Sequence, residues 1–231
     1  MRSVALCLAV GLTAVGSTAQ EPGPGSTTRP AWAVEGMPDT VRALVEASAA
    51  EHDNGRAKEL LRRAEEEARR AVASDSSDVV RRFALAVVLG LRADREGGRT
   101  KVRAAAALHE ELRAILDREP EHARARHMLG RLHAGVCRMN GVVRWIATRL
   151  LGGDVLAGAS WEEAELHLAF AERHAPEVPD HHLQLANLYR DTGRPELALE
   201  EVEHVLALPA SSAMERAVRT EAVELRGELG G

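Results

Sequence analysis

Ten histidines make metal binding the first chemistry to consider in this chain. Imidazole nitrogens and carboxylates are common zinc ligands, and Asp180, His181 and His182 form the densest group. Adjacent residues on a helix point about 100° apart, so these three side chains do not converge on one ion. The segment HEELR at His109 also lacks the second histidine of a zinc-binding HExxH helix. The sequence therefore predicts no metal site.

Paired glutamates are the second candidate for chemistry, because two carboxylates can act as general acid and base. Both groups fall on the second helices of the repeats described below, where acidic side chains typically form a solvated outer face. Ser160-x-x-Glu163 is in addition a helix capping box, which gives one of the acids a local role. The acids concerned are Glu162, Glu163, Glu165, Glu200, Glu201 and Glu203.

The sequence motifs that accompany nucleophilic catalysis are also missing from the chain. Cys137 is the one cysteine outside the predicted leader, and a lone cysteine is more typically a small buried hydrophobic residue than a nucleophile. The chain contains no GxSxG elbow, no phosphate-binding loop and no GxGxxG after a strand. We therefore expect no enzymatic activity, no catalytic residue and no cofactor, and keep an unrecognised enzyme or metal-binding protein as an alternative.

The overall composition indicates an all-α protein that does not bind nucleic acid. Aromatic residues make up only 3% of the chain, and alanine, leucine, arginine and glutamate, which favour helices, dominate it. The 30 basic and 35 acidic residues give a net charge of -5 and alternate along the chain. No basic surface for DNA or RNA is therefore expected.

The N-terminal residues predict export. Residues 1–19 combine one arginine, an apolar run and small residues at Ser17 and Ala19, which is the pattern of a signal peptide cut after Ala19. The exported protein would be periplasmic or extracellular, and a retained membrane anchor is the alternative. Residues 20–38 are rich in proline and glycine and predict a flexible linker, so the folded domain is expected to span residues 39–231.

The folded domain is predicted to be an α-solenoid of antiparallel helix pairs that repeat along the chain. Its clearest unit runs from Pro176 to Pro209, with the small residue Ala186 on the first helix and Gly193 at the turn. Residues on the second helix recur after 34 residues, which is the length of a tetratricopeptide repeat. Ala164, Leu168 and Ala171 are followed in this way by Ala198, Val202 and Val205.

An insertion interrupts the third repeat. The first helices of the third and fourth repeats are 56 residues apart, as between Gly130 and Ala186, and this exceeds the repeat length by 22. Residues 138–159 match the excess in length. The whole domain is predicted to contain about four repeats, of which the second is lengthened. A C-terminal capping helix then begins with the box Ser212-x-x-Glu215.

Several segments resemble the regulator of microtubule dynamics family, including its bacterial tetratricopeptide-like members. They are LGRLHAGV, a basic tryptophan-containing stretch that ends in LLGG, and ASWEEAELHLAFAERHAP with the repeat that follows it. The resemblance covers roughly residues 39–209 and is strongest after Pro120. It implies an α-solenoid used for protein contacts. A microtubule role does not suit a bacterial export route, so the resemblance is taken to imply the fold and not that activity.

Binding of a protein or peptide partner is the function that such a solenoid predicts. The first helices line its concave groove, and we expect an exported, non-enzymatic scaffold that binds the partner there. Arginine pairs with carboxylates, and an asparagine amide can hold an extended backbone. Ordinary solvated polarity is the alternative for each position. The candidate partner-binding residues are Arg124, His127, Arg131, Asn187 and Arg190.

The insertion 138–159 predicts a basic amphipathic helix. Arg144 and Thr148 lie on the polar half of a helical wheel, and Trp145 and Arg149 border the apolar arc. We expect the apolar half to pack on neighbouring helices as a lid or wall beside the groove, so that Trp145 supports stability. The alternative is a membrane-apposed adaptor in which this helix lies on an anionic bilayer. The apolar half consists of Val142, Val143, Ile146, Ala147, Leu150 and Leu151.

Overall fold

The computed structural model describes residues 35–150 and 153–230, which form ten α-helices, one short 3-10 helix and no strand. The predicted signal peptide and most of the predicted linker lie outside the described residues. The helices are α1 (Asp39–Ala50), α2 (Asn54–Ser74), α3 (Val79–Arg95), α4 (Gly98–Leu116), α5 (Ala123–Cys137), α6 (Gly141–Leu150), α7 (Trp161–His174), α8 (Pro179–Asp191), α9 (Pro195–Ala207) and α10 (Ala213–Leu229), and the 3-10 helix is Asp154–Leu156.

The helices pack in consecutive pairs. Helix α1 packs with α2, α3 with α4, α5 with α7, and α8 with α9, while α10 packs against both helices of the last pair. This arrangement confirms the predicted α-solenoid of four helix pairs and a capping helix. The second pair is lengthened as expected, because α3 and α4 have 17 and 19 residues, against 13 in each of α8 and α9.

Capping side chains fix where several of the helices begin, including the two for which the sequence predicts a capping box. The predicted capping box of α10 is confirmed, since the Ser212 hydroxyl accepts a hydrogen bond from Glu215 N and the Glu215 carboxylate accepts one from Ser212 N at 2.8 Å. At α7 the Ser160 hydroxyl accepts from Glu163 N at 3.1 Å. The Glu163 carboxylate instead lies 3.6 Å from His167 Nε2, so only this half of the second predicted box is present.

The insertion forms its own small substructure between α5 and α7. Helix α6 contacts the 3-10 helix, which in turn contacts α4. Gly153 N donates to Ala147 O at 3.1 Å and turns the chain back after α6. Leu156 and Ala159 are buried and join the core formed by the first repeats. The insertion is therefore packed on the solenoid by its C-terminal part.

The third helix pair depends on a close approach at Gly130. This glycine lies on α5 at the position that Ala86 and Ala186 occupy in the second and fourth repeats, as the register predicts. A Cβ added to Gly130 would lie 2.7 Å from Leu168 Cγ and 2.9 Å from Ala164 O on α7. The small residue on the first helix thus lets the second helix pack closely.

Buried apolar residues form one large cluster from α1 to α5 and smaller clusters around α7 and around α8 to α10. The large cluster includes Met37, which is buried ahead of α1. The packed unit therefore begins before the predicted domain boundary at Asp39, because the side chain of Met37 completes the core that α1 covers on one side.

Candidate functional site

Two of the three predicted groove residues of the third repeat, His127 and Arg131, meet at Asp180, near the start of α8. Its carboxylate accepts hydrogen bonds from His127 Nε2 at 3.0 Å, Arg131 Nη1 at 3.4 Å and Gln184 Nε2 at 3.0 Å. Burial by itself would raise the pKa of Asp180, but Arg131 and His127 outweigh burial and hold this pKa well below its usual value. The cluster joins α5 to α8, the first helices of two successive repeats.

His127 and Asn187 do not point outward, so this part of the prediction is wrong. Each is only 8% exposed. Asn187 Nδ2 donates to Leu183 O at 3.1 Å and to Glu221 Oε1 on α10 at 3.3 Å. Helix α5 approaches α8, and α8 approaches α10, closely enough to take up these polar side chains, and buried polar groups require such partners. Repeat register alone does not reveal that approach.

The three predicted groove arginines differ in their access to a partner. Arg131 is largely buried, and Arg190 is partly exposed and pairs with Glu228 on α10 at 3.5 Å. Arg124 is exposed, and its guanidinium lies 4.9 Å above the ring of Phe83. The structure therefore uses most of the predicted groove residues for contacts between helices and presents Arg124 to solvent.

Asp180→Asn should lower the free energy of unfolding by about 1–2 kcal/mol, because Arg131 and His127 would lose a charged hydrogen-bond acceptor. The Asp180 side chain is 31% exposed, which moderates the loss. Urea denaturation measures the change. Glu228→Gln removes an exposed pair with Arg190 and, as the control, should shift stability by less than about 0.5 kcal/mol. Equal losses in the two variants would argue against a structural role for Asp180.

Helix α6 turns much of its apolar side to solvent. Val143, Trp145 and Ile146 are 47%, 55% and 37% exposed, whereas Ala147 and Thr148 are buried. The expectation that the apolar half packs inward is therefore wrong for Val143 and Ile146 and holds for Ala147, and the exposure of Trp145 contradicts the packing role expected for it. The buried side contains a residue that the helical wheel assigns to the polar half.

The neighbours of α6 explain this orientation. Ala147 and Thr148 line a small cavity together with Val102 and Ala105 of α4. The Thr148 hydroxyl donates to Arg144 O at 2.9 Å within the helix, so its polar group is satisfied without solvent. The described buried residues of α6 are therefore small, and the one hydroxyl among them has a partner within the helix.

The insertion is basic as well as apolar. Arg149 is exposed and Arg144 is half-buried, and no acidic residue occurs between Arg138 and Gly153. Arg138 itself pairs with Asp191 of α8 at 2.6 Å. Among the described residues, no helix has the length and hydropathy that crossing a bilayer requires. The outward side of α6 is thus a surface feature with both apolar and positive character.

Three histidines from three helices lie in a row between the second and third repeats. The ring of His133 on α5 is 5.9 Å from His109 on α4 and 5.9 Å from His167 on α7. Burial first, and nearby positive groups second, lower the pKa of His133 and of His167 from 6.5 to about 4. Both imidazoles are therefore neutral near pH 7 and fill space between helices.

Cys137 is half-buried at the end of α5. Burial raises the pKa of its thiol above the usual value, so the thiol is protonated at neutral pH. A thiolate, rather than a thiol, is the nucleophile in cysteine chemistry. The environment of Cys137 is that of a packing residue.

Three of the acids predicted to lie on a solvated outer face pair with residues outside their own helices, and one of them, Glu203, stays exposed while it pairs with Arg226 of α10 at 3.5 Å. The Glu165 carboxylate accepts two hydrogen bonds from Arg194, at 2.9 and 2.7 Å, and Glu201 Oε2 lies 2.7 Å from His182 Nδ1. The outer-face prediction is wrong for these two residues. Each lies where its second helix meets the next element, so that a basic side chain from that element reaches it.

His182, Glu201 and His204 form a cluster that the sequence did not predict. His182 lies on α8, and the other two residues lie on α9. Each residue offers one potential ligand atom, and the three atoms lie within 4.8 Å of one another. Comparison of neighbours along a single helix cannot find such a group, because its members come from two helices. The available signal was Glu201-x-x-His204, since residues three apart lie on the same side of a helix.

The four helix pairs, their cap and the polar contacts between successive first helices define an α-solenoid repeat protein. The model of the family described as Regulator of microtubule dynamics protein 1-3 matches residues 33–230, and the chain belongs to this family. The match spans the insertion as well as the repeats, and it confirms the resemblance drawn from the sequence. No curated protein matches the chain.

Proposed function

We propose that the chain is an exported, non-enzymatic scaffold that binds a protein partner. The outward side of α6 carries this proposal, because Val143, Trp145 and Ile146 are exposed there beside Arg149. Tryptophan and arginine are enriched among the residues that contribute most to protein binding, and grouped exposed apolar residues commonly mark interaction sites. The solenoid fold, whose extended surfaces serve protein contacts in many proteins, supports the same role.

The partner we propose is a protein segment that combines apolar anchors with acidic side chains. Arg149 is exposed on the outward side of α6, and the stretch from Arg138 to Gly153 holds no acidic residue, which favours a negatively charged partner. Arg124, which lies over the ring of Phe83, is exposed and adds to the positive charge on the surface of α5. In this proposal His127, Arg131 and Asn187 keep the repeats in register, and α6 makes the principal contact.

Trp145→Glu is expected to abolish capture of the partner. It should change the free energy of unfolding by less than about 0.5 kcal/mol, because the Trp145 side chain is mostly exposed. Affinity capture from the exported fraction, with mass spectrometry, measures binding, and circular dichroism monitors folding. Leu166→Glu is the matched control, because Leu166 is 56% exposed on α7 and the substitution adds the same charge on a different helix.

Partners retained by Leu166→Glu and lost from Trp145→Glu would support the proposal. Capture that survives Trp145→Glu, or that both variants lose equally, would exclude α6 as the contact surface. A large loss of stability in Trp145→Glu would instead restore the packing role that the sequence predicts for Trp145.

The outward side of α6 also favours a second candidate function, contact with an anionic membrane surface. Tryptophan suits the interface between lipid and water, and arginine pairs with lipid phosphates. A helix of 10 residues provides little apolar area, so the expected affinity is modest. Flotation with phosphatidylcholine vesicles, with and without phosphatidylglycerol, tests the idea. Binding that requires phosphatidylglycerol and is lost in Trp145→Glu would support it, and absence of flotation would exclude it.

A further inference from the structure

We propose that His182, Glu201 and His204 form a zinc site that links the two helices of the fourth repeat. The cluster lies on α8 and α9, and none of its residues belongs to α6 or to the predicted groove set. The proposal is therefore independent of the proposed scaffold function. It rests on the orientation of the His182 ring, on the spacing of the two ligands from α9, and on the chemistry of the three ligand atoms.

The first argument is the fixed orientation of His182. Its Nε2 donates to Pro176 O at 2.8 Å, so in the neutral ring Nδ1 carries the lone pair. This Nδ1 lies 2.7 Å from Glu201 Oε2, which is also an acceptor. Two acceptors at this separation require a cation between them, either a proton or a metal ion. Metal-bound histidines typically donate their other ring nitrogen to a carbonyl in this way.

The second argument is the position of His204. It follows Glu201 by three residues on α9, and its Nδ1 lies 3.5 Å from the same Oε2. Ligands at about 2.0–2.1 Å from a tetrahedral zinc ion lie roughly 3.3 Å apart, so this pair already has suitable spacing. The His182 and Glu201 pair needs to open by about half an ångström, and the ligand nitrogens of His182 and His204, which lie within 4.8 Å of each other, need to come to about the same 3.3 Å spacing.

The third argument is the choice of ion and its access. Two imidazole nitrogens and one carboxylate oxygen suit zinc, whereas magnesium and calcium prefer sites built from oxygen alone. The His204 side chain is 52% exposed, while that of His182 is buried, so an ion can enter from the surface and reach the buried ligand. Three protein ligands leave the fourth position to water on the exposed side.

The binding experiment uses the full chain without an affinity tag, freed of metal with a chelator and titrated with zinc chloride in a calorimeter. We expect saturable binding of one equivalent and a rise in Tm when zinc is added, because the ion binds the folded state. His204→Ala should weaken binding by more than about 10-fold, the loss that even an outer-shell partner can cause. His52→Ala, which removes an exposed histidine ahead of α2, is the matched control and should bind normally.

Cobalt provides a second readout that does not depend on stability. Tetrahedral Co²⁺ bound to the wild type should give visible d–d absorption bands, and zinc should displace them. Absence of saturable zinc binding would overturn the proposal, and so would unchanged affinity in His204→Ala. Loss of binding in Glu201→Gln, with the helical signal retained, would support the assignment of the carboxylate as a ligand.

Discussion

Gly130→Ala is expected to lower the free energy of unfolding by about 3 kcal/mol, because the added Cβ must fit into a packed contact between two helices. Leu168 can move its side chain away from the new Cβ, but the carbonyl of Ala164 at 2.9 Å is backbone. Helices α5 and α7 would have to separate. The higher helix propensity of alanine offsets only about 1 kcal/mol of this loss. Urea denaturation of the wild type and the variant measures the difference.

Gly227→Ala is the matched control, because Gly227 lies within α10 and an added Cβ would meet nothing within 4 Å. It should raise stability by up to about 1 kcal/mol through helix propensity alone. The two substitutions are therefore expected to act in opposite directions. A stabilising effect at both positions would show that α5 and α7 are less closely packed than the structure indicates.

Protonation of His133 and His167 between near pH 7 and near pH 5 is expected to destabilise the fold by about 3–4 kcal/mol, roughly 2 kcal/mol for each of the two, and His181, whose pKa burial also lowers to about 4, adds to this loss. Their folded pKa of about 4 lies below the unfolded value of 6.5, so the unfolded chain binds more protons between these limits. The contribution is fully present above pH 6.5 and is lost progressively toward pH 4. The charged or titratable groups around the pair are His109, Arg113, Arg126 and Glu163.

Denaturation curves at the two pH values test this dependence. His133→Gln removes one of the histidines whose pKa is lowered and should reduce the pH effect by about 2 kcal/mol. His174→Gln changes an exposed histidine at the end of α7 and should leave the effect at its full size. If the wild type and His133→Gln lose stability equally on acidification, the pKa of His133 is not depressed in the folded protein.

Repeat register carries most of the information about the fold. Spacings of 34 residues place Ala164 and Ala198 at equivalent points of second helices, and both are fully buried. Gly130 was predicted as a small residue at a helix contact, and the structure confirms that position. The excess length between Gly130 and Ala186 also located the insertion. These features recur in each repeat, so a single sequence contains several copies of the repeat whose equivalent positions can be compared.

Features that depend on one particular neighbouring residue could not be predicted from the repeat spacing. The burial of Thr148 depends on the space beside α4, and the burial of His127 depends on Asp180 reaching it from α8. A helical wheel ranks side chains by polarity and ignores both the size of the available space and the partners across it. The cluster of His182, Glu201 and His204 was missed for a related reason, because two helices must meet before its ligands are near each other.

The insertion also has a kinetic consequence for how the protein folds. Helices α8 and α9 are separated by a short turn from Thr192 to Arg194, whereas α5 and α7 must close a loop that contains α6 and the 3-10 helix. The entropic cost of closing a loop grows with its length, and contacts between distant residues form more slowly. The fourth repeat is therefore expected to assemble early, and the pairing of α5 with α7 to come late. Until that step, the side of α5 around Gly130 stays exposed to competing contacts. The insertion that presents Trp145 in the folded protein therefore also sets the order in which the helix pairs assemble.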